Sequence, residues 1–175
     1  MKVDPSLIHR LFYPQVPLVM AAQHGGRVSA MPVVSYLSVS EEPPMVGVAC
    51  KPGGFTCKLA LKARAFSLSV LDRGHAGALS GLATLSGAQV EDKLSEVGLP
   101  HVPGTRAKVP VPKDALAALE CRLKSSQKHG DHLLLVARVE AAYSSAAFTD
   151  SWDYARYRPI LYTGWKEGIT LYRGP

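Results

Sequence analysis

The chain has 175 residues, with 20 lysines and arginines against 14 aspartates and glutamates, which gives a formal net charge of +6. Hydrophobic residues make up 47% of the chain and charged residues 19%, a balance that is typical of folded globular proteins and excludes an intrinsically disordered chain. This length can bury a core without disulfides or metals, so we expect residues 1–175 to form one domain. The positive charge favours an anionic partner, which nucleic acid, a membrane surface or a phosphorylated small molecule would each satisfy.

The cysteines and the N-terminal residues indicate the cellular compartment in which the protein works. The three cysteines are odd in number and form no CxxC pair, a pattern that is typical of a reducing environment rather than of a disulfide scaffold. Asp4 and Pro5 stand where a signal peptide would have its apolar core. No apolar run approaches the roughly 18 residues that a membrane span requires. We therefore expect a cytoplasmic protein.

The first third of the chain reads as extended segments separated by turns. His24–Arg27, "HGGR", is typical of a hairpin turn, and Pro52-Gly53-Gly54 predicts a loop. Pro32 indicates a strand edge, a bulge or a break, because proline cannot donate to a strand ladder. Between these signals we predict strands at 15–22, 28–40 and 45–50.

Short helices and further strands follow. Residues 57–64 predict a helix with Thr56 as its N-cap. The alternation of apolar residues with serine in 65–72 predicts a half-buried strand. Beyond it we predict helices at 74–87 and 90–99, an extended or looped segment at 100–112, two strands within 117–145 that turn at "HGD", and a hairpin at 159–174 that turns at "KEG". The sum is a mainly β protein with short helices, built as an antiparallel barrel or sandwich.

Three groups of residues are candidates for chemistry. The glycines before Thr56, together with Lys58, could bind a phosphate at a helix start, although a plainly capped helix explains the same residues. "HGDH" at 129–132 is either a site or a simple turn. Cys50, Cys57 and Cys121 read as buried, unpartnered and non-catalytic thiols; the alternative of a reactive thiol falls on Cys57 at the helix start.

The order of these segments resembles the flavin reductase-like family, the FMN-binding split β-barrels that include the flavoredoxins. The longest similar stretch is residues 29–72, "SAMPVVSYLSVSEEPPMVGVACKPGGFTCKLALKARAFSLSVLD". "EDKLSEVGL" at 91–99, "GDHLLLVARV" at 130–139 and "PILYTGW" at 159–165 follow in the family's order. The resemblance implies an antiparallel FMN-binding split β-barrel.

The resemblance also implies a set of site residues. Thr56 and Lys58 would hold the FMN phosphate. Ser29 and Ser35 would lie along the cofactor, and His132, the candidate catalytic residue, would orient and polarise rather than act as an obligatory acid. The remaining members of the implied cofactor site are Met31, Ala49, Cys50, Lys51, Lys93 and Trp165.

The implied activity is that of an NAD(P)H-dependent flavin reductase, with FMN as cofactor and NADH or NADPH as transient electron donor. Implied partners are a second copy of the chain and either a monooxygenase or an electron-transfer protein, with no role for nucleic acid or membranes. A flavoredoxin-type electron carrier with little NAD(P)H oxidation of its own is the first alternative. Tyr36 stands where flavoredoxins often have tryptophan, which leaves carrier and reductase both open. A basic β-barrel that binds nucleic acid is the alternative from another class.

Overall fold

A computed structural model describes residues 2–164 and the backbone of residues 170–171. Seven of its strands form one sheet, namely β1 (Leu18–His24), β2 (Arg27–Val33), β3 (Tyr36–Ser40), β4 (Met45–Cys50), β5 (Ala65–Val70), β8 (Ala117–His129) and β9 (His132–Ser144). Their order across the sheet is β2-β1-β5-β8-β9-β4-β3, and every pair of neighbours is antiparallel.

The other elements are short. Two small ribbons pair β6 (His101–Pro103) with β7 (Pro110–Pro112) and β10 (Ile160–Leu161) with β11 (Thr170–Leu171). The α-helices are α1 (Phe55–Ala63), α2 (Ala76–Thr84) and α3 (Lys93–Glu96), and 3-10 helices occupy Pro5–Phe12 and Arg73–His75. No helix in this part of the chain is long and apolar enough to cross a membrane.

The prediction of a mainly β, antiparallel split barrel is confirmed. Strands β2 and β3 are the two edges of the seven-stranded order, so the sheet does not close on itself. Pro32 lies in the edge strand β2, opposite Val19 of β1, where its missing N–H breaks no interior ladder. The long hairpin of β8 and β9 turns at Gly130, which has a φ of 58°, as the sequence predicted.

Strand β1 separates two apolar clusters. Met20 packs in one cluster with Phe66 and Leu135, and Val19 packs in the other with Leu79. Because successive residues of a strand point to opposite faces, both faces of β1 are covered. Helix α1 packs against β1, so the sheet interior fixes the position of this helix.

The prediction of a half-buried β5 is wrong. The alternation of apolar residues with serine predicted that Ser67 and Ser69 face solvent, but neither residue has any exposed surface. The hydroxyl of Ser67 donates to the carbonyl of Pro110 at 2.5 Å, because the β6–β7 ribbon covers this face. Ser67 therefore lies on a buried face with a backbone partner and is not in contact with water.

The helix boundaries also differ from prediction. Gly54 is the N-cap of α1 and Thr56 lies in the first turn, so the N-cap role expected for Thr56 is wrong. Helices α2 and α3 are shorter than expected, and α3 ends before Gly98, whose φ is 75°. The terminal hairpin is confirmed by the pairing of Ile160 with Leu171, while its "KEG" turn lies outside the described residues.

Candidate functional site

A cavity of 390 Å³ lies at the start of helix α1. Strand β2 contributes Met31 to its wall, helix α1 contributes Thr56 and helix α3 contributes Lys93. The fold therefore brings together three predicted site residues that are far apart in sequence. The other lining residues are Pro32, Gly54, Phe55 and the end of α2 with the following turn, namely Leu82, Ala83, Leu85, Ser86 and Gly87.

A pair of hydroxyls lies beside this cavity. The Ser29 and Thr56 oxygens are 2.8 Å apart, and both residues are buried. Gly87 packs so tightly against them that a Cβ at this position would collide with the Ser29 oxygen and lie 3.0 Å from the Phe55 ring. This contact requires glycine, and it holds the turn after α2 against the start of α1. Thr56 is the second residue inside α1, after the N-cap Gly54, and its hydroxyl faces inward to Ser29.

Two sources of positive potential point toward the same region. Lys93 is only 5% exposed, and its ammonium donates to the carbonyl of Leu82 at 2.7 Å. Burial lowers the pKa of Lys93 because a buried ammonium loses hydration. The first intrahelical bond of α1 is from the Lys58 N–H to the Gly54 carbonyl, so the N–H groups of the preceding turn have no acceptor within the helix. Together with the helix dipole, these groups suit an anion such as a phosphate.

Sequence reasoning missed Arg27. Its guanidinium donates to the carbonyls of Gly87, Ala88 and Val90 at 3.0, 3.1 and 2.6 Å. The same group lies 5.1 Å from the centroid of the Phe55 ring, within the range of a cation–π contact. Arg27 thus fixes the cavity wall. It contacts residues about sixty positions away, so no local motif could reveal it.

A second group of predicted residues lies at the end of strands β4 and β9. The N–H of Ala49 donates to the carbonyl of Ser35 at 2.8 Å. Cys50 pairs with Leu133 across the two strands, which brings Lys51 toward the turn before β9. Ser35 and Lys51 are exposed, so this group borders the protein surface.

His132 is half-buried and carries a carboxylate partner. Its Nδ1 lies 2.8 Å from Asp131 Oδ1, and 38% of the His132 side chain is exposed. This hydrogen bond, the charge of His132 and the nearby charge of Lys51 hold the pKa of Asp131 below its usual range. The aspartate can therefore orient the imidazole while staying ionised.

The predicted site residues thus fall into two groups joined by residues 51–54. Met31, Thr56 and Lys93 line the cavity over Ser29, while Ser35, Ala49, Cys50, Lys51 and His132 lie at the β4–β9 end. Lys58 is exposed on α1 and is not among the cavity residues. Trp165 lies outside the described residues. No cluster of three or more metal-ligating side chains occurs within residues 2–164.

The expectation that the cysteines have no partners is wrong for two of them. The sulfur atoms of Cys50 and Cys57 are 2.7 Å apart, one at the end of β4 and the other in the first turn of α1. Residues 51–54, which lie between them in sequence, form the loop that joins the two groups of site residues. Their expected burial is confirmed, since all three cysteines are buried.

Comparison with known proteins decides the family. Residues 9–163 match the flavin reductase like domain. The chain belongs to the flavin reductase-like family. It is 31% identical over 164 residues to an uncharacterised protein of Aeropyrum pernix, covering 93% of this chain and 62% of that protein. It is 28% identical over 131 residues to the NADH-dependent flavin reductase StyB of Pseudomonas fluorescens, covering 75% and 72% of the two chains.

A solved structure shows the same architecture. An FMN-binding protein of Thermus thermophilus with bound 1-cyclohex-2-enone superimposes with a TM-score of 0.82 at 31% identity. The match covers 100% of this chain and 97% of that one. The resemblance drawn from the residue order is therefore confirmed at the level of family and fold.

Proposed function

We propose that this protein binds FMN and works as an NAD(P)H-dependent flavin reductase. The observation that carries the proposal is the cavity at the start of α1, which is lined by the buried Lys93, by Thr56 and by the first residues of the helix. This combination of a helix start, a hydroxyl and a buried cation is one that binds phosphate. The family membership of the chain supports the same cofactor.

Each group of site residues has a role in this proposal. The first-turn N–H groups of α1, Thr56 and Lys93 would hold the FMN phosphate, with Ser29 fixing the Thr56 hydroxyl at 2.8 Å. Lys58 would add charge from the surface. The further residues proposed to contact the cofactor are Met31, Ser35, Ala49, Cys50, Lys51 and Trp165, of which Ala49 to Lys51 contribute backbone beside the ring.

His132 is proposed to act by orientation and electrostatics. When bound, FMN supplies an acceptor for the hydride of NADH or NADPH. Asp131 holds the imidazole by the 2.8 Å hydrogen bond to Nδ1, which leaves Nε2 free to position a polar group of the cofactor or of the nicotinamide. A fixed imidazole lowers the barrier by holding the reactants in place, and no proton transfer in the same step is required of it.

We also propose a single domain, residues 1–175, that forms a homodimer in the cytoplasm. Edge strand β3 exposes 52% of Leu37 and 45% of Val39, and such an edge is covered most simply by a second copy. Three free, buried cysteines suit a reducing compartment. A monooxygenase or an electron-transfer protein would accept the electrons, and neither nucleic acid nor a membrane takes part.

The visible spectrum of the purified protein, recorded without oxygen before and after NADH or NADPH is added, tests this function. We expect a flavin spectrum when FMN is present and rapid bleaching by at least one nicotinamide. Bound flavin that neither nicotinamide reduces would make the protein an electron carrier of the flavoredoxin type. No binding of FMN by titration would overturn the proposal and return the cavity to a purely structural role.

A further inference from the structure

Cys50 and Cys57 contact each other in a place that two apolar side chains could fill equally well. Packing alone therefore does not require two thiols here. Cys50 is 4% exposed and Cys57 is fully buried, both within the apolar cluster under α1. Their sulfur atoms are 2.7 Å apart, and a disulfide bond needs about 2.05 Å. An approach of less than about 1 Å, within the reach of small side-chain rotations, would therefore bring the sulfurs to bonding distance.

We propose that Cys50 and Cys57 form a redox-active dithiol, which a hydroperoxide converts into an intramolecular disulfide that weakens FMN binding. The first half of this proposal concerns only the sulfur chemistry and is independent of the cofactor. The second half rests on the proposed function, since it assigns a consequence to the site at the start of α1.

The environment of the pair distinguishes the attacking sulfur from the resolving one. The Cys50 thiol donates its hydrogen to Cys57, which lowers the pKa of Cys57 and raises that of Cys50. Cys57 also lies in the first turn of α1, where the helix dipole favours a thiolate. Cys57 is thus the nucleophile, and Cys50 is already in place to react with it.

The reaction balances with the two thiols and one molecule of hydrogen peroxide, and it needs no other reagent. The Cys57 thiolate attacks one oxygen of hydrogen peroxide, the O–O bond breaks, and a sulfenic acid and water result after protonation. The Cys50 sulfur then attacks the Cys57 sulfur, the S–S bond forms, and the departing hydroxide takes the Cys50 proton. Two thiols lose two electrons in total, and one peroxide is reduced to two molecules of water.

Access is limited by the loop between the two cysteines. Lys51, Pro52 and Gly53 are exposed, and a Cβ added to Gly53 would meet no atom within 4 Å. A loop with free space and two adjacent glycines opens at low cost, and hydrogen peroxide is little larger than water. Larger oxidants would react more slowly.

Cys121 provides an internal comparison. Burial, followed by the charge of Glu120, raises the pKa of Cys121 to about 12. Cys121 pairs with Phe66 across strands β8 and β5, away from any helix start. The dithiol chemistry is therefore confined to Cys50 and Cys57.

A disulfide would change the proposed flavin site through geometry. It would close residues 50–57 into a ring and draw the first turn of α1 toward the end of β4. Thr56 and the N–H groups of this turn would then shift relative to Lys93. Displacing one hydrogen bond to a charged phosphate corresponds to a loss of about tenfold in affinity.

The test uses the full chain, fully reduced and then treated with hydrogen peroxide. We expect the intact mass to fall by two hydrogen atoms and two of the three thiols to disappear in a titration of the denatured protein. Cys121→Ser should lose two thiols in the same way, whereas Cys57→Ser should form no disulfide. Cys50→Ser serves as a second variant if Cys57→Ser does not fold.

Two results would overturn the dithiol. One is a gain of oxygen atoms in the wild type without loss of hydrogen, and the other is a cross-link that includes Cys121. FMN titration of the reduced and oxidised wild type tests the consequence: equal affinities would overturn the regulatory half alone. Failure of both forms to bind FMN would refute the proposed function and the regulatory half, with the disulfide established by mass unaffected.

Discussion

Replacing Glu120 by glutamine should destabilise the fold by about 3 kcal/mol, through loss of charge-assisted hydrogen bonds. Glu120 lies in β8 with no exposed surface. Its carboxylate accepts the backbone N–H groups of Thr105, Arg106 and Ala107 at 2.7, 3.0 and 2.5 Å. The hydroxyls of Tyr143 and Thr105 donate to it as well. One buried carboxylate thus satisfies the whole 105–107 loop.

The size of this destabilisation follows from the number of donors whose hydrogen bonds glutamine cannot accept. Glutamine has one acceptor oxygen where glutamate has two. The amide NH2 group that takes the place of the second oxygen is itself a donor, so it faces the backbone N–H groups without accepting their hydrogen bonds. At least one buried donor loses its acceptor, which costs about 1–3 kcal/mol, and each retained bond weakens by about 1 kcal/mol as the charge disappears. Relief from burying a charge offsets part of this sum.

The pH dependence has a defined sign. Burial by itself would raise the pKa of Glu120, but the hydrogen bonds from Tyr143 and from the backbone of Ala107, Arg106 and Thr105 outweigh it and hold the pKa below its usual range. Unfolded glutamate has a pKa of about 4.3. The stabilisation is therefore complete above that value and is lost as the pH falls through the folded-state pKa.

Urea unfolding followed by circular dichroism, at neutral and at acid pH, measures both effects. Glu140→Gln is the matched control, because Glu140 on the neighbouring strand β9 makes a partly exposed ion pair with Arg122 at 3.3 Å. The control should change the free energy of unfolding by at most about 1 kcal/mol. A Glu120→Gln variant as stable as this control at neutral pH, or a deficit that persists unchanged at strongly acid pH, would refute the reasoning.

Three further predictions concern the proposed function. Thr56→Val should weaken FMN binding by about 1–2 kcal/mol, roughly tenfold, and riboflavin binding much less; equal losses in fluorescence titrations, or an equal loss for the exposed Thr84→Val, would contradict this. His132→Ala should retain FMN but slow its reduction by nicotinamide about tenfold, whereas His129→Ala should not; an unchanged rate in anaerobic stopped flow would return His132 to a structural role. Light scattering of the FMN-loaded protein should give the mass of a dimer, and a monomer mass at micromolar concentration would refute it.

Periodicity was sufficient for the elements whose environment is set by their own residues. The hairpins at "HGGR" and "HGD" were predicted because their glycines take positive φ, as Gly25, Gly26 and Gly130 do. The apolar runs in β1 and β4 were equally plain. These signals are local, so a single sequence contains them in full.

Features that depend on distant segments were not predictable. The serines of β5 looked solvent-facing because nothing near them in sequence announces the β6–β7 ribbon, whose Pro110 carbonyl accepts from Ser67. Thr56 resembled an N-cap, yet its hydroxyl is engaged by Ser29, twenty-seven positions earlier. In both cases a long-range hydrogen bond overrode a local preference.

The candidate site shows the same division between local and long-range causes. The helix start and its glycines are local and were found from sequence, whereas Lys93 reaches the cavity only because α3 packs beside β2. Arg27 and Gly87 stabilise the cavity wall through contacts with distant residues, so the sequence alone does not identify them as site residues. The resemblance to the family predicted Lys93 as a site residue, which physical reasoning from the sequence could not do.

The loop of residues 51–54 joins the two groups of candidate site residues. It runs from the end of β4, fixed by six pairs with β9, to the start of α1, fixed by packing on β1. Both ends are therefore anchored by the sheet, and the loop is less constrained than the elements that it joins. A ligand that contacts both groups must select one loop conformation, and a bond between Cys50 and Cys57 would select one as well. If FMN contacts both groups as proposed, cofactor binding and thiol oxidation would be coupled, because both would act on the same short segment.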